Sequence, residues 1–243
     1  MAVAAKHTKL LIDEFNFSGD SNSLSLTTAV AALEDTGFQA TGTTFVPGLP
    51  SGSLSHGGYY SGKGAGYVEQ ELKARLGTAS TVYVAALFGT NGVARAYVLD
   101  TTWGSNLSME MPIDGLITLS GEWPGVGKLR RGLVVFDGTI SATGGQTSVD
   151  FGAAGSVGGE AYLFVQAITG TATDATIDVE SDADDNFAAG ATVEGTFTFS
   201  LASVQKVTMS GAVLRYIRIN ATDMGGATDF RVVAVVCVDG VTG

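Results

Sequence analysis

Short segments in which apolar and polar residues alternate recur along almost the whole chain, separated by Gly, Asn, Asp and Ser. Examples are NSLSLTT at 22–28, TVYVAALFG at 81–89 and RGLVVFDGTI at 131–140. A period of two residues places successive side chains on opposite faces of a strand, which is typical of half-buried β-strands. The sequence therefore predicts a mainly β protein.

One segment, GYVEQELKARLG at 66–77, has a helical period instead. Val68, Leu72 and Leu76 recur every four residues, so they share one face of a helix. Acidic residues come early in this segment and basic residues late, as the helix dipole favours. We predict a single flanking α-helix here, and a weaker helical turn in TTAVAALED at 27–35.

A change of composition divides the chain near residues 141–160, where Gly, Ser and Ala predominate. Such a stretch is typical of a linker. The residues beyond it contain further short strand patterns and no helical period, which favours a small β-sandwich. We predict a first domain at 1–145, a linker at 146–159 and a second domain at 160–243.

The composition suggests that other subunits cover part of the surface. Among the 243 residues, 45% are hydrophobic and only 15% are charged, against about 25% charged in an average soluble domain. A monomer normally needs charged surface to remain separate from its neighbours. The alternative is an unusual globular protein that is poor in charge.

The net charge of −11 argues against tight binding to a nucleic-acid backbone, which requires basic residues. Residues 151–243 carry much of the excess, with eleven acidic and four basic side chains. The longest apolar run, VVAVVCV at 232–238, is far shorter than the roughly 20 residues that a membrane-spanning helix needs. We expect no membrane insertion and, with Cys237 as the only cysteine, no intrachain disulfide.

Two features resemble chemical sites without completing them. GGYYSGKG at 57–64 has the Gly and Lys spacing of a phosphate-binding loop, but Gly64 stands where Ser or Thr would hold Mg²⁺. A strand joined to a helix explains these glycines more simply. His7 and His56 have no Cys or carboxylate at ligand spacing, which argues against a zinc site or a catalytic triad. We expect His56 at a subunit contact or on the surface.

The acidic residues do not complete a site either. SDADDN at 181–186 begins with the spacing of a calcium-binding EF-hand loop, but Phe187 replaces the required Gly, so an acidic turn is favoured. Glu110, Asp114 and Glu122 are candidates for the paired carboxylates of a hydrolase, yet nothing in the sequence brings them together. We predict no catalytic, cofactor-binding or metal-binding residues, and no enzyme.

Four stretches of the first predicted domain resemble the major tail tube protein of long-tailed, siphovirus-type bacteriophages, in that family's order. They are LLIDEFNFSGDSNSLSLTTAVAALEDTGF, FVPGLPSGSLSHGGYYSG, VYVAALFG followed by ARAYVLD, and PIDGLITLSGEW. In the second predicted domain, SDADDN and VLRYIRIN resemble a turn and a strand of the small β-sandwich modules found on phage structural proteins.

The resemblance implies a tail-tube-type β-sandwich or barrel domain followed by a small β-sandwich decoration domain. It also implies a virion protein that is assembled in the host cytoplasm into stacked hexameric or trimeric rings. The implied partners are other copies of the chain, a tape-measure protein, tail terminator or baseplate proteins, and double-stranded DNA in transit. No cofactor is implied.

The resemblance also assigns residues to parts of a tube, by their numbers in this sequence. Residues 37–50 correspond to a loop that docks on the adjacent ring, with Phe38, Phe45, Pro47 and Leu49 as its contacts. The strands of the barrel wall contain Leu24, Leu26, Leu54, Tyr59, Tyr60, Leu116 and Leu119. The acids expected to face the lumen, where they repel DNA phosphates, are Asp20, Glu110, Asp114 and Glu122.

A second reading of the same sequence is a capsid or tail decoration protein, or a host-adhesion protein. In that reading the C-terminal β-sandwich binds surface glycans. The two readings are compatible, because an outward module and a tube-forming domain can belong to one chain.

Overall fold

The structure, a computed structural model, describes residues 8–36, 41–62, 67–78, 82–89, 94–126, 129–155, 158–188 and 190–239. Within these residues the chain forms one helix and 17 strands, so the prediction of a mainly β protein with one α-helix is confirmed. The elements are β1 Thr8–Ile12, β2 Phe15–Asn16, β3 Ser21–Glu34, β4 Phe45–Tyr59, α1 Val68–Ala74, β5 Val82–Phe88, β6 Arg95–Thr102, β7 Asn106–Glu110, β8 Thr118–Pro124, β9 Arg130–Ile140, β10 Gly144–Gly145, β11 Val149–Asp150, β12 Gly159–Gly170, β13 Ala175–Asp182, β14 Thr192–Phe199, β15 Ser203–Met209, β16 Tyr216–Asp223 and β17 Ala227–Val238.

The strands form three sheets. The largest has eight strands in the order β15-β12-β17-β9-β6-β5-β1-β2, and a five-stranded sheet has the order β10-β16-β13-β14 with β11 also paired to β16. The third sheet has the order β3-β4-β8-β7. The chain divides into two compact units: unit 1 contains residues 1–16, 85–97 and 131–243, and unit 2 contains residues 17–84 and 98–130.

Unit 1 contains the β-sandwich that the sequence predicts. Leu163 of β12 and Phe230 of β17 belong to one sheet, and Ile177 of β13 and Ile219 of β16 belong to the other. All four side chains are fully buried in a single apolar cluster. Phe230 also meets Phe199 of β14 edge to face, with 5.0 Å between ring centroids. Burial of this apolar surface holds the two sheets together.

The predicted linker contributes to this core. Val149 and Phe151 lie inside residues 146–159 and are both buried in the cluster of unit 1. β9, which precedes residue 145, pairs along its length with β17, from Ile140 opposite Phe230 to Leu133 opposite Val236. The compact units thus divide the chain differently from the predicted boundaries. The division into domains at 1–145 and 160–243 stays a prediction, which truncation near residue 150 can test.

Unit 2 contains α1 and the four-stranded sheet. Val68 and Leu72 of α1 are buried, as their helical spacing predicts. Leu76 is exposed, because the helix ends at Ala74 and Leu76 then forms an isolated bridge with Gly104. Among the described residues, no helix is long and apolar enough to span a membrane.

The helical turn predicted at 27–35 is wrong, because residues 27–34 continue β3. Their partners in β4 run from Ala29 opposite Ser51 to Glu34 opposite Phe45. The run of Ala, Leu and Glu favours a helix locally, but the strand pairing overrides this weak propensity.

Candidate assembly interface

The sheet of unit 2 consists of two hairpins, β3–β4 and β7–β8, which meet where β4 pairs with β8. β3 and β7 are its two edge strands. β3 is 14 residues long, and none of its residues is buried. A long exposed edge presents unpaired backbone N–H and C=O groups and is a template for pairing with another strand. The sheet is therefore open on both sides, and the β3 side is the longer.

The outer part of the β3–β4 hairpin is exposed along both of its strands. We call it the arm and define it as residues 27–34 of β3 and 45–51 of β4. Every arm residue is exposed except Gly48, which is half-buried. Its apolar side chains are exposed by 43% to 88% and comprise Val30, Leu33, Phe45, Val46 and Leu49. A two-stranded ribbon that is exposed to solvent on both faces is at best marginally stable in water.

The two edges of the arm differ. On the β4 side the pairing with β8 begins at Ser53, so none of the described strands covers the outer edge of β4 along residues 45–51. Pro47 and Pro50 lie in this segment and remove two backbone donors, which discourages the addition of a further strand. β3 contains no proline. The edge that remains suited to strand pairing is that of β3.

One face of the sheet is polar and made of small residues. Directly opposed positions form rows across the four strands, such as Ser25, Ser55, Glu122 and Asn106. The adjacent row on the same face contains only Ser and Gly, namely Ser23, Gly57, Ser120 and Ser108. The β3, β4 and β8 members of these rows line an open pocket, together with Leu24, His56 and Gly121.

The other face is apolar and includes the one histidine that the structure describes. Leu54, Leu119 and Trp123 are buried there. His56 lies among them and is 4% exposed, so the prediction of a contact or surface position is wrong. Trp123 Nε1 donates a hydrogen bond to His56 Nδ1 at 3.2 Å, and the two rings are stacked. Burial lowers the pKa of His56 from 6.5 to about 4, because it disfavours the charged imidazolium.

Of the four acids expected in the lumen, two lie on strands of the sheet and two lie in segments between strands. Glu110 and Glu122 lie on the polar face, since Glu110 is opposite Thr118 and Thr118 shares the face of Glu122. Asp20 lies in the turn before β3, where its N–H donates to the carbonyl of Phe17. Asp114 lies in the exposed segment between β7 and β8.

The residues expected at the inter-ring contact belong to a strand and not to a loop. Phe45, Pro47 and Leu49 lie in β4, within the arm. The expectation of a loop is wrong for these residues, because residues 45–47 pair directly with β3. Phe38 lies outside the described residues.

The residues expected in the barrel wall lie on both faces of the unit 2 sheet, and two of them lie just outside its strands. Four leucines lie on the apolar face: Leu24, Leu26, Leu54 and Leu119. Tyr59 lies on the polar face opposite Thr118. Tyr60 follows β4, and its N–H donates to the carbonyl of Ile117 at 3.0 Å. Leu116 is not in a strand, because the turn at 113–115 delays the start of β8 to Thr118.

A second exposed apolar group, which the strand patterns do not predict, lies at the tip of the β7–β8 hairpin. We call this group the tip and define it as Met111, Ile113 and Leu116. All three are more than two-thirds exposed, and Ile113 is fully exposed. The sequence signal is MPIDGL, in which apolar residues occupy a turn without strand alternation.

Two buried carboxylates of unit 1, Glu160 and Glu180, are held by structural partners. Glu180 accepts hydrogen bonds from Arg218 and Asn220, each at 2.7 Å. Glu160 pairs with Lys206 at 2.8 Å. No group of three or more His, Cys, Asp or Glu side chains among the described residues could hold a metal ion. These carboxylates are therefore explained by packing and charge neutralisation.

No protein-family model matches the sequence, and no curated protein is significantly similar to it. Several solved structures are similar to the chain. The SPP1 tail tube aligns with 53% of this chain and 78% of its own length, at 11% identity and a TM-score of 0.41. A protein in the tail of the gene transfer agent particle aligns with 53% of this chain and 97% of its own, at 12% identity and a TM-score of 0.37.

A third solved structure aligns with most of the chain. It is the SPP1 Dit protein, described as part of a hub adsorption apparatus in phages that infect Gram-positive hosts. The alignment covers 94% of this chain and 98% of Dit, at 10% identity and a TM-score of 0.38.

Proposed function

We propose that this chain is a structural protein of a phage tail, whose copies assemble into rings that stack into a tube. Within a ring, the β3 edge of one copy pairs with the β7 edge of the next. This arrangement pairs the five residues of β7 with part of the 14-residue β3 edge, since strand pairing around a closed ring covers the edges of neighbouring sheets. Ring closure requires several copies, as hexamers or trimers.

The arm is the observation that carries this proposal. Its apolar side chains on β3 and β4 are in contact with water in the isolated subunit. Covering them with protein stabilises an assembly by roughly 25 cal/mol for each Å² of apolar surface removed from water. Pro47 and Pro50 disfavour strand addition along the β4 side, so we assign the arm to side-chain packing on an adjacent ring.

The polar face of the sheet supports a lumen. In a closed ring one face of the sheet points inward, and a face of Ser, Gly, Thr, Asn and Glu offers DNA no basic partner. Glu110 and Glu122 add negative charge to this face, which repels phosphates and permits sliding. In this function the tape-measure protein occupies the lumen before the genome passes through it, and terminator and baseplate proteins close the two ends.

An arm-deleted variant tests the proposal. Ala29 and Ser51 are directly opposed, so an Asn-Gly turn can replace residues 30–50 and close the shortened hairpin. We expect the variant to fold and to form no stacked tubes in negative-stain micrographs. Circular dichroism and urea unfolding establish that it is folded.

A variant in which one exposed leucine outside the arm is replaced serves as the control. Leu201 is 76% exposed and follows β14 in unit 1, so Leu201→Ser should leave assembly unchanged. Normal tubes from the arm-deleted variant would overturn the role of the arm in stacking. If the native chain remains monomeric at every concentration and ionic strength, the tube proposal itself is wrong.

A further inference from the structure

We infer that the contact between the two hairpins of unit 2 is acid-sensitive, and that protonation of His56 opens it. We call this contact the seam: residues 53–59 of β4 paired with residues 118–124 of β8. The inference concerns the folded subunit and does not rest on the proposed tube function.

The geometry places His56 across the seam. Its partner position in β8 is Gly121, and a Cβ atom added there would lie 2.7 Å from His56 Cε1. The imidazole therefore lies over the β8 backbone, in space that any other residue at 121 would fill. From this position Nδ1 accepts the hydrogen bond of Trp123, which also belongs to β8. A side chain of one hairpin is thus bonded to a side chain of the other.

This bond requires the neutral imidazole. Because Nδ1 accepts the hydrogen bond, the ring proton of neutral His56 is on Nε2. Nε2 has no hydrogen-bond partner among the described residues and is buried. A second proton would occupy the Nδ1 lone pair, so the imidazolium would have two N–H donors directed into buried surroundings and Trp123 would lose its acceptor.

No charge on the paired strands compensates an imidazolium. The residues that flank His56 on its own face are Leu24 of β3, Leu54 of β4 and Leu119 of β8. β7 contributes Leu107 and Met109 to this face, opposite Gly121 and Leu119.

The acids of these strands lie elsewhere. Glu122 and Glu110 are on the polar face, and Glu34 is in the arm. Burial is the cause of the lowered pKa of His56, and no charged side chain among the described residues offsets the cost of an imidazolium there.

The direction of the pH effect follows from the two protonation states. In the folded chain the pKa of His56 is about 4, so the ring stays neutral above that pH. When the seam opens, the pKa of His56 returns to about 6.5. The open form therefore binds more protons between these values. The seam is fully stabilised above pH 6.5, and its stability falls as the pH decreases towards 4.

Imidazole ¹⁵N NMR of the His7→Gln variant tests the inference directly, because that variant contains a single histidine. We expect the His56 signals of a neutral ring with the proton on Nε2 at pH 7. We expect protonation near pH 4, together with loss of the Trp123 indole N–H hydrogen bond. A His56 midpoint near 6.5 would overturn the inference, since it would mean that the ring is solvated.

Tryptophan fluorescence gives the structural readout. In a Trp103→Phe background Trp123 is the remaining tryptophan, and its emission should shift to longer wavelength as His56 is protonated and the seam opens near pH 4. His56→Asn is the matched variant, because its amide oxygen can accept the Trp123 bond and does not titrate. An unchanged transition in His56→Asn would overturn the inference. If that variant does not fold, the NMR midpoint of the native histidine decides the question.

Discussion

Replacement of Leu49 by Ser separates the stability of the subunit from the stability of the assembly. Leu49 is 88% exposed in β4 of the arm. Its truncation removes almost no buried surface from the isolated subunit, so the free energy of unfolding should change by less than about 0.5 kcal/mol. In a stacked assembly the same side chain is covered, and complete burial of a leucine is worth about 1.5–3 kcal/mol.

The expected effect on assembly follows from that difference. A loss of about 2 kcal/mol for each arm contact weakens that contact roughly 30-fold. The critical concentration for assembly, measured by sedimentation velocity, should rise by at least this factor. Leu201→Ser, which changes a comparably exposed leucine outside the arm, should leave the critical concentration unchanged.

Two outcomes would refute this reasoning. An unchanged critical concentration for Leu49→Ser would mean that Leu49 remains exposed in the assembly. A fall of more than 2 kcal/mol in the unfolding free energy would mean that Leu49 is already buried in the subunit. Urea unfolding of the two serine variants and the native chain provides this second measurement.

The remaining predictions concern packing and buried charge within the subunit, and each is measured by urea unfolding. Gly121→Ala should destabilise the fold by about 1–3 kcal/mol, because the new methyl group overpacks against the buried ring of His56. Gly19→Ala is the control: its new Cβ atom meets no atom within 4 Å, so the free energy of unfolding should hardly change. Arg218→Ala should cost about 3–5 kcal/mol, because it leaves a buried carboxylate without its cation. Arg215→Ala breaks an exposed ion pair and should have little effect, and equal losses in the two arginine variants would contradict this account.

The local patterns of the sequence predict the strands well and the long-range contacts poorly. Alternation identifies strands such as β5 and β9, because a half-buried strand needs only its own residues to show a period of two. It fails at 27–34, where Ala and Leu favour a helix and only the partner strand β4 fixes the extended form. The end of α1 is similarly misjudged, since Leu76 continues the helical period but lies beyond the helix.

The candidate site depends on pairings that a single sequence does not reveal. Position 56 is buried because β8, whose partner residue Gly121 is 65 positions away, supplies both the space and the Trp123 donor. The position of β9 in the largest sheet depends in the same way on its pairing with β17, which lies nearly a hundred residues later in the sequence. Only the uncharged character of residues 37–50 pointed to a contact segment, and this pattern does not distinguish a loop from an extended ribbon.

Hydrogen exchange at the outward-facing amides of β3 tests the central claim most directly. The claim is that this edge remains open in the subunit and that β7 of another copy pairs with part of it. We predict exchange within seconds in dilute monomer, and strong protection of the amides that β7 covers when the protein is concentrated into its assembled form. Equally fast exchange in the assembled particles would contradict the claim, and so would amides that are already protected in the monomer.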